Sequence, residues 1–390
     1  MIIPKLALRN LLGAGLRTWL NVVVLSLTFV AIILSLGFNQ GILEQASRTM
    51  IDSEIGGGQY WQEAYDPYDP FALEDAHAQI PAAVKNLMDQ EQAAGILITQ
   101  GTIYPEGRIL PVLLKGIDPA QKTLDIPSQF LSAEEEEIPA LIGSRMAANA
   151  NLNIGDYVTL RWRDANGTFD ARDAVIVQIM NTSLQTIDSR QIWLPLHTLQ
   201  QMTGMVGEAT IIVVDRTVAA PPEIQGWEFR DLDFLLKDLR DLVRTRLIAR
   251  SILYVILLFL AVIAIFNAQV LAIFRRRKEI GTLMSLGMTR AKVIQLFTLE
   301  GGLTGVLAAV IGAIYGVPLL SYFAVAGMAM PQGTENFGLS IGHTLYPSYG
   351  LVLVLGTTLV VLLTVTVVSY LPTRRIAKLK PTDALRGKLP

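Results

Sequence analysis

RRRKEIGTLMSLG, residues Arg275–Gly287, lies between two long apolar runs, and its reading decides the rest of the chain. Four consecutive cations stop a membrane helix, and Lys and Arg gather on the cytoplasmic side of spans. Ile280, Leu283, Met284 and Gly287 then recur on one side of a short amphipathic helix. The pattern predicts a segment that leaves the bilayer, docks on a soluble partner and returns.

Working outward, the 390-residue chain is 51% hydrophobic and only 17% charged. Soluble domains carry about 25% charged residues. The apolar excess is concentrated in four runs, 19–38, 252–274, 297–323 and 349–371. Each is long enough to cross a bilayer, which takes about 20 residues. Lys5, Arg9 and Arg17 precede the first span, and Arg275, Arg276, Arg277, Lys278, Arg290 and Lys292 fill the loop 275–296. Arg374, Arg375, Lys378, Lys380, Arg386 and Lys388 fill the tail 372–390, whereas the loop 324–348 has no cation. Both termini and the basic loop are therefore expected in the cytoplasm. All but four of the 34 acidic residues fall in 39–247, which reads as an extracytoplasmic α+β domain.

Within that domain, ILITQGTIY and ILPVLLKGI are expected to pair around Pro105–Gly107, and YVTLRWR and AVIVQIM across an Asn-Gly turn. Short strands are expected at 191–195 and 210–215, and helices at 73–93, Ser144–Ala150 and Leu196–Thr203. A membrane-proximal part (44–106 and 216–232) and an inserted β-rich part (107–215) are expected. Residues 231–274 show no helix breaker, so the second span should rise out of the membrane as a stalk, 231–251, on one continuous helix. Residues 1–18, with Leu6, Leu8, Leu11, Leu12 and Leu16 among Lys5, Arg9 and Arg17, read as an interfacial helix on the inner leaflet. The first span is too long for a signal peptide and has no small-x-small cleavage site after it, so it reads as an uncleaved anchor.

Several chemistries are excluded. Without cysteine there is no disulfide, thiol catalysis or lipoprotein acylation site. His77, His197 and His343 have no metal-ligand spacing. No Gly-x-x-x-x-Gly-Lys-Ser/Thr loop cradles a nucleotide, so ATP is not bound by these residues. No catalytic constellation is found. The acidic run Glu134–Glu137 reads as a solvated loop. Glu300, at the edge of the third span, needs a cationic partner, Arg276 or Arg277. Asn267 lies about 12 Å inside the Arg275 end at helical rise and suits an interhelical hydrogen bond. Gly301, Gly305, Gly312 and Gly316 allow close helix approach, either within the subunit or at a dimer seam. Phe38 and the stretch QYWQEAYDPYDPF, with Tyr60, Trp61, Tyr65, Tyr68 and Phe71, are candidates to grip an acyl chain or lipidated peptide. Asp66-Pro67 and Asp69-Pro70 read as turns rather than calcium ligands.

Three stretches carry a resemblance. LALRNLLGAGLRT near the start, Asn267 with RRRKEIGTLMSLG, and YLPTRRIAKLKPTDALR in the tail resemble the MacB/FtsX/LolC–LolE superfamily of ABC-transporter permeases. IGSRMAANANLNIGDYVTL (142–160) is similar to the external domains of LolC–LolE-like members. The resemblance implies a type VII, mechanotransmission permease of four transmembrane helices with a MacB-like periplasmic core domain between the first two. It implies a coupling helix at 279–287, with Arg276 beside it. It implies a second permease subunit, identical or paralogous, on a dimeric LolD-like or MacB-like ATPase that holds ATP and magnesium. Membrane lipid and a periplasmic chaperone or adaptor are the other partners expected, and no nucleic acid. Lipoprotein release from the outer leaflet of a bacterial inner membrane is the leading function implied. Efflux of drug, peptide or haem, and FtsX-like activation of a periplasmic cell-wall hydrolase, are the alternatives.

Overall fold

The computed structural model describes residues 2–13, 15–132, 137–180, 185–218, 221–329 and 344–374. The acidic run at 134–136, His343 and the basic tail beyond Arg374 lie outside the described residues. The chain divides into two units. One comprises Met1–Ile42, Leu242–Ala329 and Leu345–Pro390, the other Leu43–Asp241 and Met330–Thr344.

The chain opens with α1 (Ile2–Leu12) and α2 (Leu16–Met50). Apolar residues occur all round the spanning part of α2, the mark of a helix whose solvent is lipid. At 35 residues α2 is longer than the hydrocarbon core requires. It gives way to a π-helical turn, Ile51–Ile55, which Gly56 ends at φ +65°.

The second unit follows as β1 (Gly58–Gln62), β2 (Ala78–Gln79), α3 (Ala82–Asp89), β3 (Ala93–Ile103), β4 (Leu110–Ile117), β5 (Ile138–Gly143) and α4 (Ser144–Ala150). Then come β6 (Tyr157–Arg163), β7 (Phe169–Met180), α5 (Gln185–Arg190), β8 (Gln191–Pro195), α6 (Leu196–Thr203), β9 (Glu208–Ala209), β10 (Ile211–Val214), β11 (Trp227–Arg230) and α7 (Leu232–Leu235). The main sheet runs β11-β1-β10-β3-β4-β8-β5-β7-β6, and β6 returns to pair with β3, Gly101 opposite Trp162 and Ile103 opposite Leu160. Six strands thus close into a ring, while β10, β1 and β11 extend from the other half of β3. The hairpins β3–β4 and β6–β7 are those read from the sequence.

Alternation explains the packing. In β6, Val158, Leu160 and Trp162 are buried while Tyr157, Arg161 and Arg163 face outward. The same alternation sorts Leu97 from Ile96 and Ile98, and Ile192 and Leu194 from Trp193, onto opposite faces. One face of all six ring strands meets in a single core closed by α4 and α6. Burying a large apolar side chain contributes about 1.5–3 kcal/mol. Trp162 is fixed further by donating Nε1–H to the Met202 carbonyl. One helix expected in this unit is much shorter than read. The expected helix 73–93 is only α3, because Pro81 sets its start and residues 78–79 pair as β2 with β9. The Gly56-Gly57-Gly58 run ends the helical stretch as expected and leads directly into β1, a strand the sequence reading did not include.

The first unit resumes in α8 (Lys237–Arg275), α9 (Arg277–Ser285), α10 (Arg290–Ala326) and α11 (Leu351–Thr373). One turn residue, Leu236, separates α7 from α8, so residues 231–274 are not a single unbroken helix. Thr289 caps α10 by accepting from the Lys292 amide, and Pro318 is accommodated inside it. Val22, Leu25 and Phe29 of α2 meet Ile265 of α8, Ala308 of α10 and Val361 and Val365 of α11 in one cluster. Among the described residues four helices are long and apolar enough to cross a membrane, with the large α+β domain between the first two in sequence.

Candidate functional site

The break between α8 and α9 falls at Arg276, whose backbone leaves the helical region at φ −96°, ψ 18°. Its guanidinium serves two carboxylates. Nε and Nη2 donate to Glu279 at 2.6 and 2.7 Å, and Nη1 donates to both Glu300 oxygens at 2.9 and 3.0 Å. The same group stands 5.2 Å from the centroid of the Phe297 ring. A planar five-donor fork can do all three, which an ammonium cannot. Side-chain exposure is 23% for Arg276 and 15% for Glu300, so water screens the pair only partly. Hydrogen bonding to Glu279 raises the Arg276 pKa, and Arg276 in turn holds the Glu279 carboxyl below its ordinary range.

The faces of α9 differ from the sequence expectation. Ile280 is fully enclosed with Ile273, Val293 and Phe297, and Met284 packs at the edge of that cluster. Ile280 is covered by the chain's own helices and has no surface to offer a partner, whereas Met284 is half-buried. Leu283 is half-buried, and Glu279 and Gly287 are exposed. Gly287 takes φ +93°, a conformation L side chains rarely adopt, and so ends the segment. Sequence reasoning missed Leu286, which is 80% exposed beside Lys278, Thr282 and Ser285. Its position off the Ile280 side of the helix was the available signal.

Gly301, Gly305, Gly312 and Gly316 of α10 are used inside the subunit. A Cβ on Gly301 would collide with Ser369, and one on Gly305 would lie 3.1 Å from Leu362 Cδ2. Gly312 faces the Ser26 carbonyl, and a Cβ on Gly316 would stand 2.7 Å from Val30 Cγ2. They seat α10 against α11 and α2, and the dimer seam weighed for them is not needed to explain them. Asn267 instead faces outward from α8.

The aromatic residues separate into three groups. Tyr60 is fully buried with Val84, Ile212 and Trp227, and its hydroxyl donates to the Pro222 carbonyl. Burial pushes it up to about 12, and the residue has no surface to offer a ligand. Trp61 is half-buried, edge-on to Tyr65 at 5.1 Å and Phe234 at 5.8 Å, and donates Nε1–H to Gln59. Tyr65 is half-buried, and burial, aided by Glu54 and Asp66, raises its pKa. Only Tyr68 and Phe71 project, 76% and 83% exposed, and the Tyr68 hydroxyl bonds Asp238. Asp66 and Asp69 accept from the amides of Tyr68 and Phe71, closing two turns. Phe38, on α2, is half-buried. An open cleft of about 370 Å³ beside β3 and β6 holds Glu74, Arg161 and Arg163, but Arg163 pairs with Glu74 at 2.7 Å and Arg161 stacks on Phe169. Among the described residues no His, Cys, Asp or Glu group could hold a metal ion.

Four spans, a basic hub at a helix break and an inserted extracytoplasmic α+β domain define a membrane protein of the transporter-permease class. Residues 18–225 match the MacB-like periplasmic core domain and residues 251–381 the FtsX-like permease C-terminal domain. The chain belongs to the MacB/FtsX-like superfamily of ABC transporter permeases. It is 27% identical to an uncharacterized ABC transporter permease of Methanocaldococcus jannaschii, over 41% of this chain and 39% of that one. It is 24% identical to the macrolide export ATP-binding/permease protein MacB of Wolinella succinogenes, over 66% of this chain and 37% of that one. It is 21% identical to the lipoprotein-releasing system transmembrane protein LolC of Xylella fastidiosa, over 80% of this chain and 84% of that one. The alignments thus span less than two fifths of the length of the first two relatives.

Proposed function

We propose that this chain is the permease of an ABC transporter that extracts or exports a hydrophobic or lipid-linked substrate at the outer leaflet of a bacterial inner membrane. ATP hydrolysis belongs to an ATPase dimer, and a second permease subunit completes the machine. Lipoprotein is the substrate class favoured. The observation that carries it is the likeness to a LolC protein along 80% of this chain and 84% of that relative. Efflux in the MacB manner is the second reading, favoured by the match over 66% of this chain.

In this reading the ATPase docks on the outward side of α9, through Leu286, Lys278 and Thr282. Arg276 ties α9 to α10 through Glu279 and Glu300, so a push on α9 reaches two membrane helices together. The test is photo-crosslinking in cells with the probe at Phe71 or Phe38, followed by mass spectrometry. Acylated-peptide or lipoprotein adducts that vanish when the ATPase is inactivated support extraction. Adducts only to a soluble periplasmic protein or wall hydrolase would overturn it in favour of efflux through an adaptor or FtsX-like signalling.

A further inference from the structure

Gly56, Gly57 and Gly58 join the helical stretch to β1, and glycine backbone imposes no stiffness of its own. Whatever fixes the end of α2 to the domain must therefore come from the bonds around it. The π-helical turn Ile51–Ile55 is a rare form that marks functional points in helices. Just past it, the Gly57 amide donates to the Val214 carbonyl of β10, in the three-strand extension, at 2.6 Å. Within it, the Asp52 carbonyl accepts from the Asp125 amide at 2.7 Å, and the Asp52 carboxylate pairs with Arg216. One further bond reaches a ring strand. Lys115 of β4 donates from Nζ to Glu54 at 3.1 Å. In the sheet register Lys115 lies between Ile98 of β3 and Trp193 of β8, its ammonium 5.1 Å from the Trp193 ring centroid. That face carries the apolar cluster of Ile98, Ile117 and Trp193. The Lys115 side chain is 5% exposed and that of Glu54 25%. No other cation among the described ion pairs is so enclosed.

We infer that Lys115 is a positioning residue that ties the end of α2 to the six-strand ring, so that the helix end and the ring move as one body. An ammonium among apolar side chains is unfavourable unless it is paired. A methionine at this place would pack without that cost. What the lysine adds is a directed bond to one carboxylate. An exposed ion pair exchanges readily with water and contributes little. Around Lys115 that exchange is closed, and parting from Glu54 would leave the ammonium enclosed and unpaired. The pair therefore resists displacement of the turn from β4, where the three glycines give no resistance. The inference rests on the reading of the chain as a transporter permease and deepens it, by naming the side chains that would carry movement of α2 into the ring.

The chain contains no cysteine, so nitroxide labels can be placed without background in the full-length protein in lipid. Arg48→Cys on α2 and Arg172→Cys on β7 are both at exposed positions. The width of the distance distribution between the two labels reads how firmly the ring follows α2. It should be narrow in the parent. Losing the bond in Lys115→Met or Glu54→Met should widen it about twofold. Glu54→Met should also lower the unfolding temperature, because it strands the enclosed ammonium. Lys115→Met should lower it less, because Glu54 still reaches water. The double variant Lys115→Met/Glu54→Met removes both charges, so it should recover the unfolding temperature yet keep the wide distribution. That split marks a positioning role, since for a pair that serves stability alone, width and temperature would recover together. A narrow distribution in the double variant, or the parent width in Lys115→Met, would overturn the inference. ATPase co-purification is read in parallel. Its absence from the parent, with the widths as expected, would count against the transporter reading and leave the link standing.

Discussion

Arg276 is the residue on which the docking segment depends. Its guanidinium holds two carboxylates, one on α9 and one on α10. Arg276→Met would leave Glu300 half-enclosed and unpaired. Thermal unfolding of the purified chain should then fall by the equivalent of about 2–4 kcal/mol, because breaking a largely buried pair costs more than the pair itself contributes. Acid should act on the same bond with a defined sign. The Glu279 carboxyl is held below its ordinary range, so its contribution is present above the unfolded pKa, about 4.3, and is lost as pH falls through the lower folded value. ATPase docking should therefore be flat from pH 8 to 5 and decline below about 4. In Glu279→Gln that acid limb should be absent, and an unchanged limb would assign the titration elsewhere.

At the scale of elements, α9 and α10 show what a pattern can and cannot reveal. The stripe Ile280, Leu283, Met284 was legible because apolar residues recur at helical spacing. What covers it was not, since the spacing is the same whether a partner or the chain's own α10 lies opposite. Glycine spacing on α10 had the same ambiguity, and the collisions with Ser369, Leu362 and Val30 resolve it. Two outcomes follow. Leu286→Asp should leave the fold intact and reduce co-purified ATPase about tenfold, whereas Ile280→Asp should lower the yield of folded protein by charging an enclosed site. Gly316→Leu should lower stability by about 1–3 kcal/mol through overpacking against Val30, with the dimer fraction unchanged. A lost dimer with normal thermal stability would return these glycines to the subunit seam. In the domain, the two hairpins were readable from strict alternation and an Asn-Gly turn. Strand β1 was not, because three glycines read as a breaker and its pairing partners β10 and β11 lie far away in sequence, Trp61 opposite Ile211 and Gln62 opposite Trp227.

For the whole molecule, the four spans and the inserted α+β domain were legible from hydropathy and charge alone. The aromatic stretch was the weakest part of the reading. Composition marked six aromatics as one candidate surface, yet burial divides them, with Tyr60 in the core and Tyr68 and Phe71 outside. Crosslinking from position 60 should give no substrate adduct even where position 71 does. Adducts of equal yield at both would mean that the domain opens around Tyr60 during transport.

The sequence had suggested an inserted β-rich part at 107–215, but its border at 107 falls in the turn of the β3–β4 hairpin. Strand β3 serves as a wall of the six-strand ring with one half and as the root of the three-strand extension with the other. An excised 107–215 fragment would lack that wall and present the open edges of β4 and β6 to solvent, a template for aggregation. Nor can the extension shift by one residue without carrying the ring with it, since such a slip turns every side chain of β3 over. The domain should therefore be inherited and exchanged among relatives as one indivisible block, with length changes confined to its turns.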